Sequence, residues 1–329
     1  GVKSVIQDDR VSIVTGLGMS SAIESVLPVL NAAKVPGLMN QATVRGVTYP
    51  FQPWMFTGNC NYSDQGDVAL GYLMTRLKLK DLKGKVVGVA PINSASGNEF
   101  QENLKALVAK YGGTTVVQTI PATIVSADTQ MIEFQDKKID MLLIGTAANQ
   151  GVAVLKSLAK FGIDIPVSGH FGVANENVYR SVPYEVAKNF VAVNCVTPPT
   201  LAKGTAGKLA IETGKKYGYP ESEITQANWS LGWMNAQLMV EALKNAKGDY
   251  SGTAVRKGFE MIKNLDTGGL SPKVTLNSKC HMVIRQVRPY TYSYKTDTLQ
   301  PVGTYEQWAK WSTNAYAAPG TCGKKSGAK

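Results

Sequence analysis

Short apolar runs alternate along this chain with stretches whose apolar residues recur every three or four positions. That rhythm marks β-α units on a parallel sheet, because buried parallel strands read as unbroken apolar runs and surface helices as one-sided stripes. Residues 11–15 (VSIVT) read as a strand that runs into the turn Gly16-Leu-Gly18-Met-Ser20-Ser21. Ile23, Val26, Leu27 and Leu30 then stand at i, i+3, i+4 and i+7 of a helix, which Ser21-Ala-Ile-Glu24 should open as a capping box. Pro28 inside that helix should kink it or remove one hydrogen bond. Residues 35–39 form the next strand, with Asn40-Gln41-Ala42-Thr43 as the loop at its carboxyl end.

A second series follows. The pattern predicts a helix over 63–77, a strand over 85–90, and a helix opened by the capping box Ser96-Gly-Asn-Glu99. Phe100, Leu104, Leu107, Val108 and Tyr111 share one face of that helix, and Gly112-Gly113 should stop it. Strands at 114–119, 140–145 and 166–169, with helices at 127–138 and 150–161, repeat the unit. A strand at 190–196 is followed by helices at 203–217, 227–246 and 252–263. Residues 280–287 and 290–295 read as antiparallel strands, and the Gly/Lys-rich tail after Ala317 as mobile. Residues 1–10 read as the end of a helix, so a β-α-β opening is expected to be missing from the N-terminus.

The length of 329 residues exceeds what one core usually serves, so two lobes are expected. The hydrophobic fraction of 44% excludes wholesale disorder, and no apolar run reaches the ~18 residues of a membrane span. A formal charge of +11 permits attraction to anions. Its lysines are dispersed, however, without the aromatic-interleaved basic block of a nucleic-acid binder, so a solvated basic surface is expected and no nucleic-acid partner. Cys60, Cys195, Cys280 and Cys322 are too far apart for a zinc knuckle or a redox CxxC pair. They suit either four buried thiols or two disulfides in an oxidising compartment. With only His170 and His281, and no GxSxG, P-loop or HExxH motif, the chain is poorly supplied for catalysis.

Loops at the carboxyl ends of neighbouring parallel strands open on the ligand side of α/β folds. Gly16-x-Gly18-x-x-Ser21 at such a position invites a dinucleotide reading, and hence an NAD-type oxidoreductase as one alternative. Its third position is Ser, though, and the next strand ends without the acid that holds a ribose. The better reading is a small carboxylate cradle of main-chain amides with the Ser20 hydroxyl, to which Thr43 adds a donor. Ser94–Gly97, Thr146–Asn149 (with Ala148) and His170-Phe171-Gly172 hold the corresponding strand ends of the second series. His170 is expected either to supplement the polar side of a pocket or to face solvent. Trp229 and Trp233, four apart at the start of a long helix, suit the core, or one of them a pocket cap.

The order and spacing of these features resemble the type I periplasmic solute-binding proteins, in the branched-chain amino-acid (Leu/Ile/Val) branch of ABC importers. The family's strand-GPGSS-helix resembles residues 11–38, its FRT…DxxQG…A crossover resembles Met55 to Ala69 with Asp64-Gln65-Gly66, its YG resembles Ser96-Gly97, and its DxVxxxG strand resembles Asp140–Gly145. The resemblance implies an α/β fold of two doubly wound parallel-sheet lobes joined by three hinge crossovers and closing on a ligand. Lobe one would be 1–58 with 195–270, and lobe two 59–194 with 271–329. It further implies disulfides Cys60–Cys195, beside the crossovers, and Cys280–Cys322.

Carried over by position, the family's carboxylate binders match Ser20 (or the Met19 amide), Ala42 and Thr43. Ser96 stands in place of the family's aromatic ring, and Phe171 in place of the acid that grips a ligand ammonium. A phenyl ring is a poor sole partner for a desolvated ammonium. The implied ligand is therefore a carboxylate-bearing solute with an apolar or aromatic body, lying on Phe171 and Trp233. The expected function is solute capture in the interlobe cleft for delivery to a membrane permease, by a periplasmic monomer that is not an enzyme and needs no cofactor or metal. An amino-acid binder and a sensory ligand-binding domain are the alternatives within the same class.

Overall fold

The computed structural model describes residues 1–8, 10–18, 20–40, 47 and 50–312, with residues 20 and 21 given by their backbone only. The chain divides into two compact units. Among the described residues, unit 1 contains 1–61 and 195–286, and unit 2 contains 62–194 and 287–312.

Unit 1 holds a three-stranded parallel sheet in the order β1 (Val14–Leu17), β2 (Gly37–Met39), β3 (Met55–Thr57). The first strand begins at Val14 instead of residue 11 because the ladder with β2 starts at the pair Val14–Gly37. A bulge follows at Gly16, whose φ of 81° is one that residues with a Cβ resist. The helix Ser20–Ala33 buries Ile23 and Leu30 fully; Leu38, Met39, Phe56 and Phe259 of the same unit are also fully buried, with Phe56 stacked on Phe259 at 4.5 Å. Because this helix already includes Ser20, Ser21 lies inside it and is not the cap expected from the Ser21–Glu24 box.

Residues 280–287 are not a strand. Their apolar run makes a single parallel bridge, Met282 to Thr57, with the Thr57 amide donating to His281 and Thr57 accepting from Val283. The ladder stops there because the Gly58 amide turns away to the carbonyl of Met39. Residues 271–286 accordingly belong with unit 1, whereas the expected boundary assigned them to the second lobe. The Cys60–Cys195 disulfide joins the two chain segments of unit 1, bridging a sequence separation of 135. Cys280 is also disulfide-bonded, and Cys322, its expected partner, lies outside the described residues.

Unit 2 is built on a seven-stranded sheet in the order β10-β9-β8-β7-β6-β4-β5. Strands β4 (Val86–Pro91), β5 (Thr114–Val117), β6 (Met141–Gly145), β7 (Val167–Gly169) and β8 (Phe190–Asn194) are parallel. The antiparallel pair is β9 (Arg288–Ser293) with β10 (Thr298–Pro301), and β9 also continues the sheet against β8. Phe134, Leu142, Ile144, Leu158, Tyr290 and Leu299 are fully buried in one core. Each large side chain so buried contributes roughly 1.5–3 kcal/mol.

The helix Tyr62–Arg76 is the unusual element, since its first turns bury polar residues as well as apolar ones. Partners explain this. The Ser63 amide donates to Glu99 (3.1 Å), Asn103 donates to the Ser63 carbonyl and to Asp67, and Ser312 bonds Asp64.

Candidate functional site

In unit 2 the loops after β4, β6 and β7 leave the carboxyl edge of three adjacent strands, bringing Ser96, Ala148 and Phe171 to one edge of one sheet. Backbone bonds hold these loops together: the Ile92 amide donates to Gly145 and the His170 amide to Ile144. Ser96 lies in the first turn of the helix Ala95–Lys110. The cap of that helix is Ser94, two residues earlier than the sequence pattern suggested; its hydroxyl accepts from the Gly97 amide and bonds the Ser96 hydroxyl at 2.8 Å. Gly97 is irreplaceable here, because a Cβ would stand 1.8 Å from the Ile92 carbonyl oxygen. Glu99, the expected capping-box acid, is occupied instead by the Ser63 amide.

Ala148 opens the helix Ala148–Lys160, behind Thr146, whose side chain is fully buried. Phe171 is half-buried and starts a 3-10 turn, Phe171–Val173. Its ring belongs to an aromatic group with His170 (5.6 Å, near-parallel) and Tyr62 (6.2 Å), and Phe100 meets His170 edge-on at 5.3 Å. His170 does not face solvent. It is 3% exposed, and its Nδ1 accepts from the Gly172 amide at 2.9 Å, so the ring proton sits on Nε2. Burial among aromatic rings pushes its pKa down to about 4 against the pull of backbone hydrogen bonds, so His170 is neutral near pH 7.

In unit 1, Asn40 at the end of β2 accepts from the Thr15 hydroxyl (3.1 Å) and the Gly16 amide (3.4 Å). One amide of the expected carboxylate cradle is therefore already paired. Ser20 begins the helix at this edge; Met19, Ala42 and Thr43 lie outside the described residues. Trp233 lies on the helix Ala227–Asn245, half-buried, with a buried Nε1 that has no partner among the described residues. Trp229 is tied to unit 1 itself, its Nε1 donating to the Ala210 carbonyl (3.0 Å) and its ring against Tyr219.

Two residues at the unit 2 edge went unrecognised as site residues in the sequence, Tyr62 and Gln65. Gln65 is fully buried and accepts from the Phe171 amide at 2.8 Å, across 106 positions of sequence. The Asp64-Gln65-Gly66 motif drew attention to it without indicating this partner. A groove of about 380 Å³ lined by residues such as Ile163, Ile165, Val186 and Lys188 opens at the opposite, amino end of these strands. Among the described residues no cluster of His, Cys, Asp and Glu is placed to hold a metal ion, and no helix is long and apolar enough to cross a membrane.

This architecture, parallel strands feeding ligand-side loops in each of two α/β units, is that of a type I solute-binding protein. A family model described as periplasmic binding protein matches residues 1–297, and the chain belongs to that family. No curated protein matches it. Among solved structures it is similar to a branched-chain amino-acid ABC transporter protein from Thermus thermophilus with bound valine (TM-score 0.83, 17% identity, covering 94% of this chain and 82% of that one). It is also similar to a solute-binding protein from Rhodopseudomonas palustris in complex with 3,4-dihydroxybenzoic acid (TM-score 0.74, 17% identity, 92% and 80%). A third is a fatty acid ABC transporter substrate-binding protein from Thermomonospora curvata (TM-score 0.76, 17% identity, 91% and 75%).

Proposed function

We propose that the chain is a monomeric periplasmic substrate-binding protein that captures a small carboxylate-bearing solute with an apolar or aromatic body and delivers it to the permease of an ABC importer. Phe171 carries the reading. It stands where the resembled family places the acid that grips an ammonium, and its half-exposed ring lies beside Tyr62 and a neutral His170. The carboxylates next along this edge are engaged within unit 2, Glu99 by the Ser63 amide and Asp64 by Ser312. A buried ammonium would cost several kcal/mol without a counter-charge, whereas an apolar body gains from the ring. In unit 1 the solute's carboxylate would take the Ser20 and Thr43 hydroxyls and the Met19 amide, beside Ala42, with Trp233 against the body. In unit 2, Ser96 and Ala148 would complete the wall around Phe171. Two similar proteins are described with carboxylic acids, 3,4-dihydroxybenzoic acid and fatty acid, which suits the same chemistry.

Isothermal calorimetry against benzoate, 3,4-dihydroxybenzoate, hexanoate, leucine and valine tests it. Binding of at least one of the three acids at micromolar or tighter Kd is expected, with the amino acids at least tenfold weaker. Tight leucine or valine binding with no response to the acids would overturn the proposal.

A further inference from the structure

We propose that Gln65 and His170 are positioning residues for solute recognition: together they fix the turn that presents Phe171 and fill the amide sites where that turn would otherwise take an anion. This rests on the reading of Phe171 as a solute-contacting ring.

Four consecutive amides, from Phe171 to Ala174, all have partners. A helical turn leaves its first amides without partners of its own. In the turn at 171–174, the later two are satisfied internally, Val173 by the His170 carbonyl and Ala174 by the Phe171 carbonyl. The first two are satisfied only by side chains, Phe171 by Gln65 Oε1 (2.8 Å) and Gly172 by His170 Nδ1 (2.9 Å). Both acceptors are held from behind. Gln65 is fully buried in the first turns of the helix Tyr62–Arg76, and His170 is wedged against Tyr62 and Phe100. Gly172 leaves no slack, since a Cβ there would stand 2.5 Å from the Thr146 carbonyl oxygen.

Two consequences follow. The ring of Phe171 is set by a backbone that cannot swing, so the shape it offers a solute is preformed. Paired amides at a turn would also attract a carboxylate, and these are already taken, so the solute meets this edge of unit 2 with its body and not with its charged head. Pre-empting the anion site with neutral acceptors is thus a specificity device: it denies a second place to a carboxylate and fixes the orientation of the bound molecule.

The test uses paired variants of the full chain. Gln65→Met removes the acceptor at near-constant volume and Gln65→Glu keeps an acceptor oxygen; His170→Phe removes the second acceptor and His170→Asn keeps one. The first readout needs no ligand: hydrogen exchange at the Phe171 and Gly172 amides by NMR. At least tenfold faster exchange is expected at Phe171 in Gln65→Met and at Gly172 in His170→Phe, with most protection restored in the acceptor-keeping variants. The second readout is calorimetry with whichever of benzoate, 3,4-dihydroxybenzoate and hexanoate binds wild type most tightly. At least tenfold weaker binding in the acceptor-free variants and substantial recovery in the others is expected. Unchanged amide exchange overturns the proposal outright. Faster exchange with affinity held within twofold shows a purely structural bond and overturns the specificity role. Wild type that binds none of the three acids overturns the reading of Phe171 and with it the solute half, while the exchange data still decide the turn's own bonding. If Gln65→Met does not fold, the His170 pair yields the same decision.

Discussion

Phe171 and His170 are neighbours in sequence with opposite exposures, and each makes a distinct experimental claim. Replacing the half-exposed ring by a carboxylate, Phe171→Glu, restores the counter-charge that an ammonium requires. The expected outcome is a gain of at least tenfold in leucine affinity and a comparable loss for the aromatic acids, read by calorimetry on both proteins. His170 makes a claim about stability. Its folded-state pKa near 4 lies below the ordinary value of 6.5, so between those values the unfolded chain binds a proton that the folded chain refuses. The stability this group provides is complete above about pH 6.5 and is lost progressively as pH falls toward 4. Two to three pH units correspond to about 3 kcal/mol. Urea titrations from pH 7.5 to 4 should therefore show a steeper fall for wild type than for His170→Phe, by about that amount; parallel curves would contradict it. At this scale the sequence singled out Phe171 only through the resemblance, in which an acid stands at the matching position, and the Phe171→Glu titration is what tests that match. For His170 the sequence left open a polar pocket side or a solvent-facing ring and did not reveal the burial, which depends on Tyr62 and Phe100, more than sixty residues away in the chain.

Among elements, the strand-helix alternation was legible because period-2 and period-3.6 patterns report burial directly. Errors gathered where a pattern does not decide a partner. Ser94 and Ser96 both offer a hydroxyl at the start of the same helix, and the loop geometry selects Ser94 as the cap. The run at 280–287 has the composition of a strand, but β3 offers it one residue of ladder. The Cys60–Cys195 bond has a consequence of its own. It joins 1–61 to 195–286, so it constrains an unfolded loop that closes across 135 residues, and loops of that size carry a large entropic cost of closure. Loss of the bond in Cys60→Ala/Cys195→Ala should destabilise the protein by about 2–5 kcal/mol. Differential scanning calorimetry should register this as a lower Tm with wild-type ligand selectivity retained, since neither sulfur is a solute contact in the proposed site.

On the scale of the whole chain, each unit is assembled from segments distant in sequence, and sequence patterning locates such segments without saying which sheet completes which. Residues 62–194 contain every parallel strand of unit 2, together with Ser96, Ala148 and Phe171, and so look like an independent domain. They are not a complete one. The next strand after β8 in the sheet is β9, whose Tyr290 is fully buried, and β10 contributes the fully buried Leu299 to the same core. Trp308 is 7% exposed and packs on Tyr72. A fragment ending at 194 therefore bares a long strand edge and several apolar cavities, each large side chain missing from a core costing about 3–5 kcal/mol, against a total stability of about 5–15 kcal/mol. Expressed alone, 62–194 is expected to show poorly dispersed NMR spectra and no cooperative melt. Joining residues 287–312 to it through a glycine-serine linker should restore both, because the linker costs only the slowly growing entropy of a longer loop. A cooperative melt from the 62–194 fragment by itself would show that the returning strands decorate unit 2 instead of completing it, and the stiffness inferred for the Phe171 turn would then have to come from the parallel strands alone.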